Sequence, residues 1–203
     1  MFEHRRFGLE QAVIARQKEM TRRRVRFPKG INDADVESAL MGIDQKGRVY
    51  FTFSTVTESF DVYPRYQIGE RVAVEQAYEN ADIEPYTVVA MIDEGQNMLT
   101  PVPAIESAGW KNKLFVRADF MPHVIEITDI KAERLQDISE DDCLSEGIFF
   151  YNQGIDYGFT FHGTRERYGS AKFAFATLID RLNDRGTWER NEWQFAYQFK
   201  LIK

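Results

Sequence analysis

Residues 193–201 read WQFAYQFKL. Strict alternation puts Trp193, Phe195, Tyr197, Phe199 and Leu201 on one face, and Gln194, Ala196, Gln198 and Lys200 on the other. This is the clearest β-strand in the chain, with an apolar face wide enough to pack on a core. The stretch TRRRVRF at 21–27 alternates in the same way, with Thr21, Arg23, Val25 and Phe27 on one side and Arg22, Arg24 and Arg26 on the other. The side carrying Val25 and Phe27 is expected to face the interior. Thr21 and Arg23 would then point toward the mouth of whatever the strand lines, and the other three arginines would form an outward basic stripe. The two strands are expected to share one sheet or barrel.

Between these strands, ALMGIDQKGRVYFTFSTV at 39–56 reads as a hairpin, because Asp44 to Gly47 supplies turn chemistry between two apolar-rich runs. Further strands are expected at about 59–66, 71–76 and 86–92, with loops at Pro64 and around Pro101 and Pro103. NKLFV at 112–116 and HVIEITDI at 123–130 add two more. The spacing of Leu9, Ala12, Val13 and Met20 fits one side of a short helix, interrupted by Arg16 and Gln17. Ser139 followed by Asp142 resembles a capping box opening a short helix that ends at Gly147, and another helix should cover about 170–183. YNQGIDYGFTFHGTRERYGS at 151–170 reads as an ordered loop or weak hairpin. Many short strands with two or three helices imply an α+β protein on a small curved sheet or barrel, expected as one domain over 1–203.

The composition narrows the function. In 203 residues, 43% hydrophobic with 14% aromatic is too rich for a disordered chain. No apolar run approaches the roughly 20 residues of a membrane span, and MFEHRRFGLE carries no signal-peptide core. Cys143 is the single cysteine, without metal-ligand spacing, so a reduced cytoplasmic compartment, no metal and no cofactor are expected. The net charge is −6, yet residues 1–30 hold nine Lys/Arg against three acids, which leaves −12 for the remainder. Such a chain is no general polyanion binder; its basic segment is either one local anion-binding surface or a solvated face with a few ion pairs. Walker, Rossmann and nucleophile-elbow motifs are absent from the sequence, and His4, His123 and His162 each stand alone. Tyr63, Tyr66 and Tyr78, lying near arginines, are candidate platforms for unpaired bases.

FGLEQAVIARQKEMTRRRV at 7–25 resembles the opening of ASCH-type proteins of the PUA-like superfamily, whose pattern is an apolar helix, G-R-K-x-x-T-x-R and the first strand. Lys18, Thr21 and Arg23 fall on the Lys, Thr and Arg of that pattern. YQIGERVAVEQAY at 66–78, ITDIKAERLQDISEDDCLSEGI at 127–148 and the ending FATLIDRLNDRGTWERNEWQFAYQFKLI at 175–202 look like the prophage-associated branch. The resemblance implies a small mixed PUA-like β-barrel flanked by helices, here with an inserted hairpin near 30–66. It also implies a cleft beside the first helix and strand, lined by Lys18, Thr21 and Arg23, for a nucleotide, modified base or single-stranded RNA. Arg22, Arg24, Arg26, Glu75, Gln76 and Tyr78 complete the candidate binding set. The alternative that the resemblance implies is an amidohydrolase acting on an acylated nucleoside such as acetylated cytidine. Lys18, lowered in pKa by burial, would activate Thr21 as the nucleophile. Such enzymes also use a glutamate; this chain has Ala174 at the matching late-helix position, and Arg16 in place of the family glycine. An acid brought to Lys18 and Thr21 by folding would favour the enzyme, and an acid-free cleft would favour binding.

Overall fold

The computed structural model describes residues 9–81 and 108–203. It is α+β and divides into two compact units, residues 1–70 with 126–201, and residues 71–125 with 202–203.

The first unit opens with α1 (Leu9–Ile14), whose Ala12 and Val13 are buried. The helix stops earlier than the apolar spacing implied. Arg16 turns to the left-handed φ of 56°, and the amides of Gln17 and Lys18 both close on Ala12 O at 2.8 and 3.1 Å. A left-handed residue just past a helix favours glycine, and an arginine takes that conformation here. β1 (Met20–Arg24) follows at once, so Met20 is buried through a strand and not through a helix face. β1 pairs antiparallel with β9 (Trp193–Leu201), Thr21 opposite Tyr197 and Arg23 opposite Phe195. β9 is the middle strand between β1 and β6 (Val124–Arg134). Trp193, Phe195, Tyr197 and Phe199 are buried, as their alternation requires, and Leu201 is half-buried. Gln194 and Ala196 are buried too, so β9 is covered on both faces over this stretch.

The segment expected as an insertion forms a three-stranded sheet of β2 (Ser38–Ile43), β3 (Val49–Ser54) and β4 (Ser59–Val62), in that order. Its turn is built as the sequence implied. The Asp44 carboxylate accepts the amides of Lys46 and Arg48, both at 2.9 Å, and Gly47 takes φ 76°. The inward face of β3 presents Val49, Phe51 and Phe53, and the Phe51 and Phe53 rings pack against Phe195 and Trp193 of β9, each at 5.4 Å. β4 ends at Val62, short of the expected strand over 59–66, because Pro64 follows.

On the helical side, α2 (Glu140–Ser145) starts at Ser139, whose hydroxyl accepts the Asp142 amide at 3.1 Å. β7 (Phe149–Gln153) and β8 (Asp156–Thr160) form a regular hairpin. α3 (Ala171–Leu182) is capped by Ser170, and a short α4 (Thr187–Arg190) precedes β9. Ile138, Cys143, Phe161, Phe175 and Leu178 lie in the core that these elements share, with Ala174 wholly buried among them. An acid at position 174 would lie inside this apolar cluster.

In the second unit, β5 (Arg71–Ala73) is shorter than the expected strand over 71–76. Lys113–Phe115 is a 3-10 turn and not a strand, because Asn112 accepts the Leu114 amide at 3.1 Å and draws the chain into a turn. Tyr78, Ala81 and Met121 form its small core, with Trp110 and Phe120 packed against them. The expected strand over 86–92 and the loop at Pro101 and Pro103 lie outside the described residues.

Candidate functional site

β1 separates two chemistries. On its rear face the alternation carries Lys18, Met20 and Arg22 inward, all three buried. Lys18 Nζ pairs with the Glu146 carboxylate and also donates to Glu146 O at 3.0 Å. Arg22 donates to Glu146 Oε1 at 2.8 Å and to Glu133 Oε1 at 2.5 Å, with Asp142 Oδ2 at 3.5 Å. Lys131 closes the network on Asp142 and on Glu133, the latter at 3.2 Å. The Arg22 guanidinium also sits 5.6 Å from the centre of the Phe175 ring. Three cations thus face three carboxylates. Burial pushes the Lys18 ammonium below its usual value, against the opposing pull of Glu146. Asp142 lies below the usual carboxylate range. Burial alone would raise it, but Lys131 and Arg22 outweigh that. Gly147, at φ 99°, takes the left-handed turn after Glu146 that a side chain would strain, while a Cβ there would meet the Lys18 stem at an ordinary 3.6 Å.

The front face carries Thr21 and Arg23, with Val25 and Phe27 continuing the same side. A cavity of about 870 Å³ opens here. Its floor is Arg23, Val25, Phe27, Phe195 and Tyr197, and its wall comes from residues 31–65 through Ile31, Asp33, Val62, Tyr63 and Arg65. Arg24 and Arg26 also line it, both exposed. The wall is tied to the floor by the Tyr197 hydroxyl, which accepts the Arg65 amide at 3.0 Å. Asp33 is committed elsewhere, to Arg134 at 2.5 Å and the Trp193 amide at 3.2 Å. Arg24 pairs with Glu192 at 2.8 Å. Arg23, Arg26 and Arg65 have no carboxylate partner among the described residues.

The expected outward stripe is therefore corrected: Arg24 and Arg26 are exposed, while Arg22 is buried behind the strand, its two terminal nitrogens held by Glu146 and Glu133. The expected cleft holding Lys18, Thr21 and Arg23 together is also replaced. Lys18 belongs to the rear network, whereas half-buried Thr21 and exposed Arg23 are on the front. Glu75, Gln76 and Tyr78 belong to the second unit. There Glu75 is exposed, Gln76 is buried with its Nε2 donating to Asn80 O at 3.4 Å, and the buried Tyr78 accepts the Arg117 amide at 2.8 Å through its hydroxyl. Tyr78 is thus a core residue and presents no open ring.

No protein-family model, curated protein or solved structure matches the chain. The chemistry must be read from the residues themselves. Among the described residues no cluster of His, Cys, Asp or Glu is arranged to hold a metal, and no helix is long and apolar enough to cross a membrane. Cys143 is buried, and that burial, with Glu140 nearby, pushes its thiol up to about 12, so it stays protonated and fills core space. His162 is held by Gln17 at 2.7 Å. Sequence reasoning missed Glu133, Asp142 and Glu146 as partners of Lys18 and Arg22, and Arg65 as a cavity residue. A signal for the first three was present, since all lie in the block 127–148 that carries the most specific part of the resemblance.

Proposed function

We propose that the chain is a PUA-like module of ASCH type, of the prophage-associated branch, that binds a nucleotide, a modified base or single-stranded RNA in the cavity before β1. The observation that carries this reading is the set of three arginines without carboxylate partners among the described residues, Arg23, Arg26 and Arg65, lining one cavity with the half-exposed Tyr63. Guanidinium groups suit phosphate oxygens, and aromatic rings suit unpaired bases. The expected result is that labelled single-stranded RNA binds the full chain, weakens steeply with salt, and loses about tenfold in affinity when Arg23→Ala removes one charge-assisted contact. No binding at micromolar protein would count against the reading.

The second reading, hydrolysis of an acylated nucleoside, has Glu146 in its favour, because an acid does reach Lys18. It has Thr21 against it, since the pleat sends that hydroxyl to the other face of the strand. A lysine without its nucleophile realises little of the roughly 10²–10⁴ that a general base contributes. Negligible turnover of acetylated cytidine is expected. Turnover in the wild type that both Lys18→Ala and Thr21→Ala abolish, with folding intact, would establish the enzyme instead.

A further inference from the structure

We infer that β2 is a self-association edge: two copies of this chain pair their β2 strands antiparallel about a two-fold axis at Met41, joining their three-stranded sheets into one. β2 is the outer strand of its sheet and is hydrogen-bonded to β3 alone. Which of its backbone groups stay open follows from the register. The Asp44 amide donates to Arg48 O at 2.9 Å, one step beyond the pairing of Ile43 with Val49. Hydrogen-bonded pairs alternate along an antiparallel ladder, so Gly42, Leu40 and Ser38 also turn their amides and carbonyls toward β3. Ala39, Met41 and Ile43 turn theirs to the free edge. The Glu37 amide goes inward again, to Ser54 O at 2.8 Å, which ends the open stretch at Ala39. An axis at Met41 sets Ala39 opposite Ile43 of the second copy and Met41 opposite Met41, so all the open residues exchange bonds, about six in all. Moving the axis to Leu40 or to Gly42 would set an open residue against Glu37 or against Gln45 in the turn.

The side chains fit the same axis. Ala39, Met41 and Ile43 stand opposite Phe53, Phe51 and Val49, and so share the face of the sheet on which those residues are buried. Met41 is nonetheless 56% and Ile43 66% exposed, so on that face burial falls away beyond β3. A second β2 continues the face, with Met41 against Met41 and Ile43 against Ala39. On the other face Leu40 meets Gly42 of the second copy. The Tyr50 ring lies across that glycine so closely that a Cβ there would fall 2.4 Å from it, and Leu40 gains an aromatic surface to pack on. Charge supports the pairing too. Residues 38–43 read SALMGI, with neither the charge nor the proline by which an edge is kept from pairing. The opposite edge of the sheet is built otherwise, since β4 is four residues long, carries Asp61 and is followed by Pro64. Across the two-fold Ser38 faces Asp44, and no like charges oppose each other. The pairing uses up β2 and β4 is blunted, so the assembly closes at two copies.

A strand edge buries little area, so the dimer is of the weak, concentration-dependent kind. Sedimentation equilibrium of the full chain should show the average mass rising from monomer at about 1 µM to more than halfway to dimer by about 300 µM. Met41→Lys sets two ammonium groups opposite each other at the axis and should weaken association at least about tenfold. Val56→Lys, at an exposed position in the turn between β3 and β4, should leave it unchanged. Both replaced side chains are exposed, so thermal melting should confirm that both variants fold. Met41→Cys reads the register independently of charge. The Cα atoms of a hydrogen-bonded pair lie about 5.5 Å apart, a distance that a disulfide spans, so oxidised glutathione should link this variant into dimers much faster than Leu40→Cys. Cys143 is buried and stays protonated, so it does not compete. A wild type that stays monomeric at about 300 µM overturns the inference and leaves the edge to a strand from another protein. Equal weakening by Met41→Lys and Val56→Lys, linking of Leu40→Cys as fast as Met41→Cys, or a mass that grows past the dimer also overturns it.

Discussion

Glu146→Gln is expected to cost about 3–5 kcal/mol of folding stability, read as a fall in the urea midpoint at an unchanged m value. The substitution keeps the shape of the side chain but removes the one charge among the described residues that both Lys18 and Arg22 contact. Lys18 then has no carboxylate partner among the described residues, and it lies buried. Lys18→Met should cost less, because Glu146 would retain Arg22 at 2.8 Å. Equal losses for the two substitutions, or a loss within about 0.5 kcal/mol for Glu146→Gln, would show that the network is exchangeable surface charge. The same network sets a pH dependence. Asp142 is depressed below 3.8 in the folded chain, so its contribution is present above that value and disappears as the pH falls through the lower folded one. Lys18 acts at the other end. Its ammonium is disfavoured by folding, and that penalty is relieved as the pH rises through its lowered folded value toward 10.5.

Phe53→Ala should also cost about 3–5 kcal/mol, for a different reason. Phe53 is wholly buried, and its ring meets those of Phe27, Trp193 and Phe195 at 5.0, 5.4 and 6.1 Å. Its loss leaves a void between the inserted sheet and β9 that rigid aromatic neighbours fill poorly. Phe53→Leu should cost less than about 1.5 kcal/mol by restoring most of the volume, and Leu40→Ala, at a side chain 71% exposed on β2, should stay within about 0.5 kcal/mol. A Phe53→Ala variant as stable as Leu40→Ala would mean that the inserted sheet does not share the core. Because Phe27 and Phe195 also line the cavity, the alanine variant is expected to weaken the proposed nucleotide binding along with stability.

Elements with a strong local signal were legible in the sequence. β9 followed from its alternation, α2 from Ser139, α3 from its position over 171–182, and the β2–β3 hairpin from Asp44 to Gly47. What failed at β1 was the assumption of a single buried face. Period-two alternation groups Arg22 apart from Val25 correctly, but it does not say that both groups are covered. Arg22 is buried because carboxylates from positions 133, 142 and 146 arrive to meet it, and no local pattern around residue 22 records that. The same blindness split the candidate site. Lys18 and Thr21 are three residues apart in sequence, yet the helix ends at Ile14 and the chain is extended by Met20, so alternation parts them. The short turn at 113–115 was misread because Asn112 competes for the backbone that a strand would have used.

Arg22 and Arg23 are neighbours in sequence, one locked into the rear network and the other exposed at the cavity. The anchoring of the first governs the second. With Arg22 held by two carboxylates and β1 paired to β9, the backbone of Arg23 has little conformational freedom left to lose. The ordering entropy of this stretch of backbone is met during folding rather than on association, so a ligand of the proposed kind would meet a main chain whose positions are already set. The buried charges, far from any ligand themselves, would then act on affinity through preorganisation.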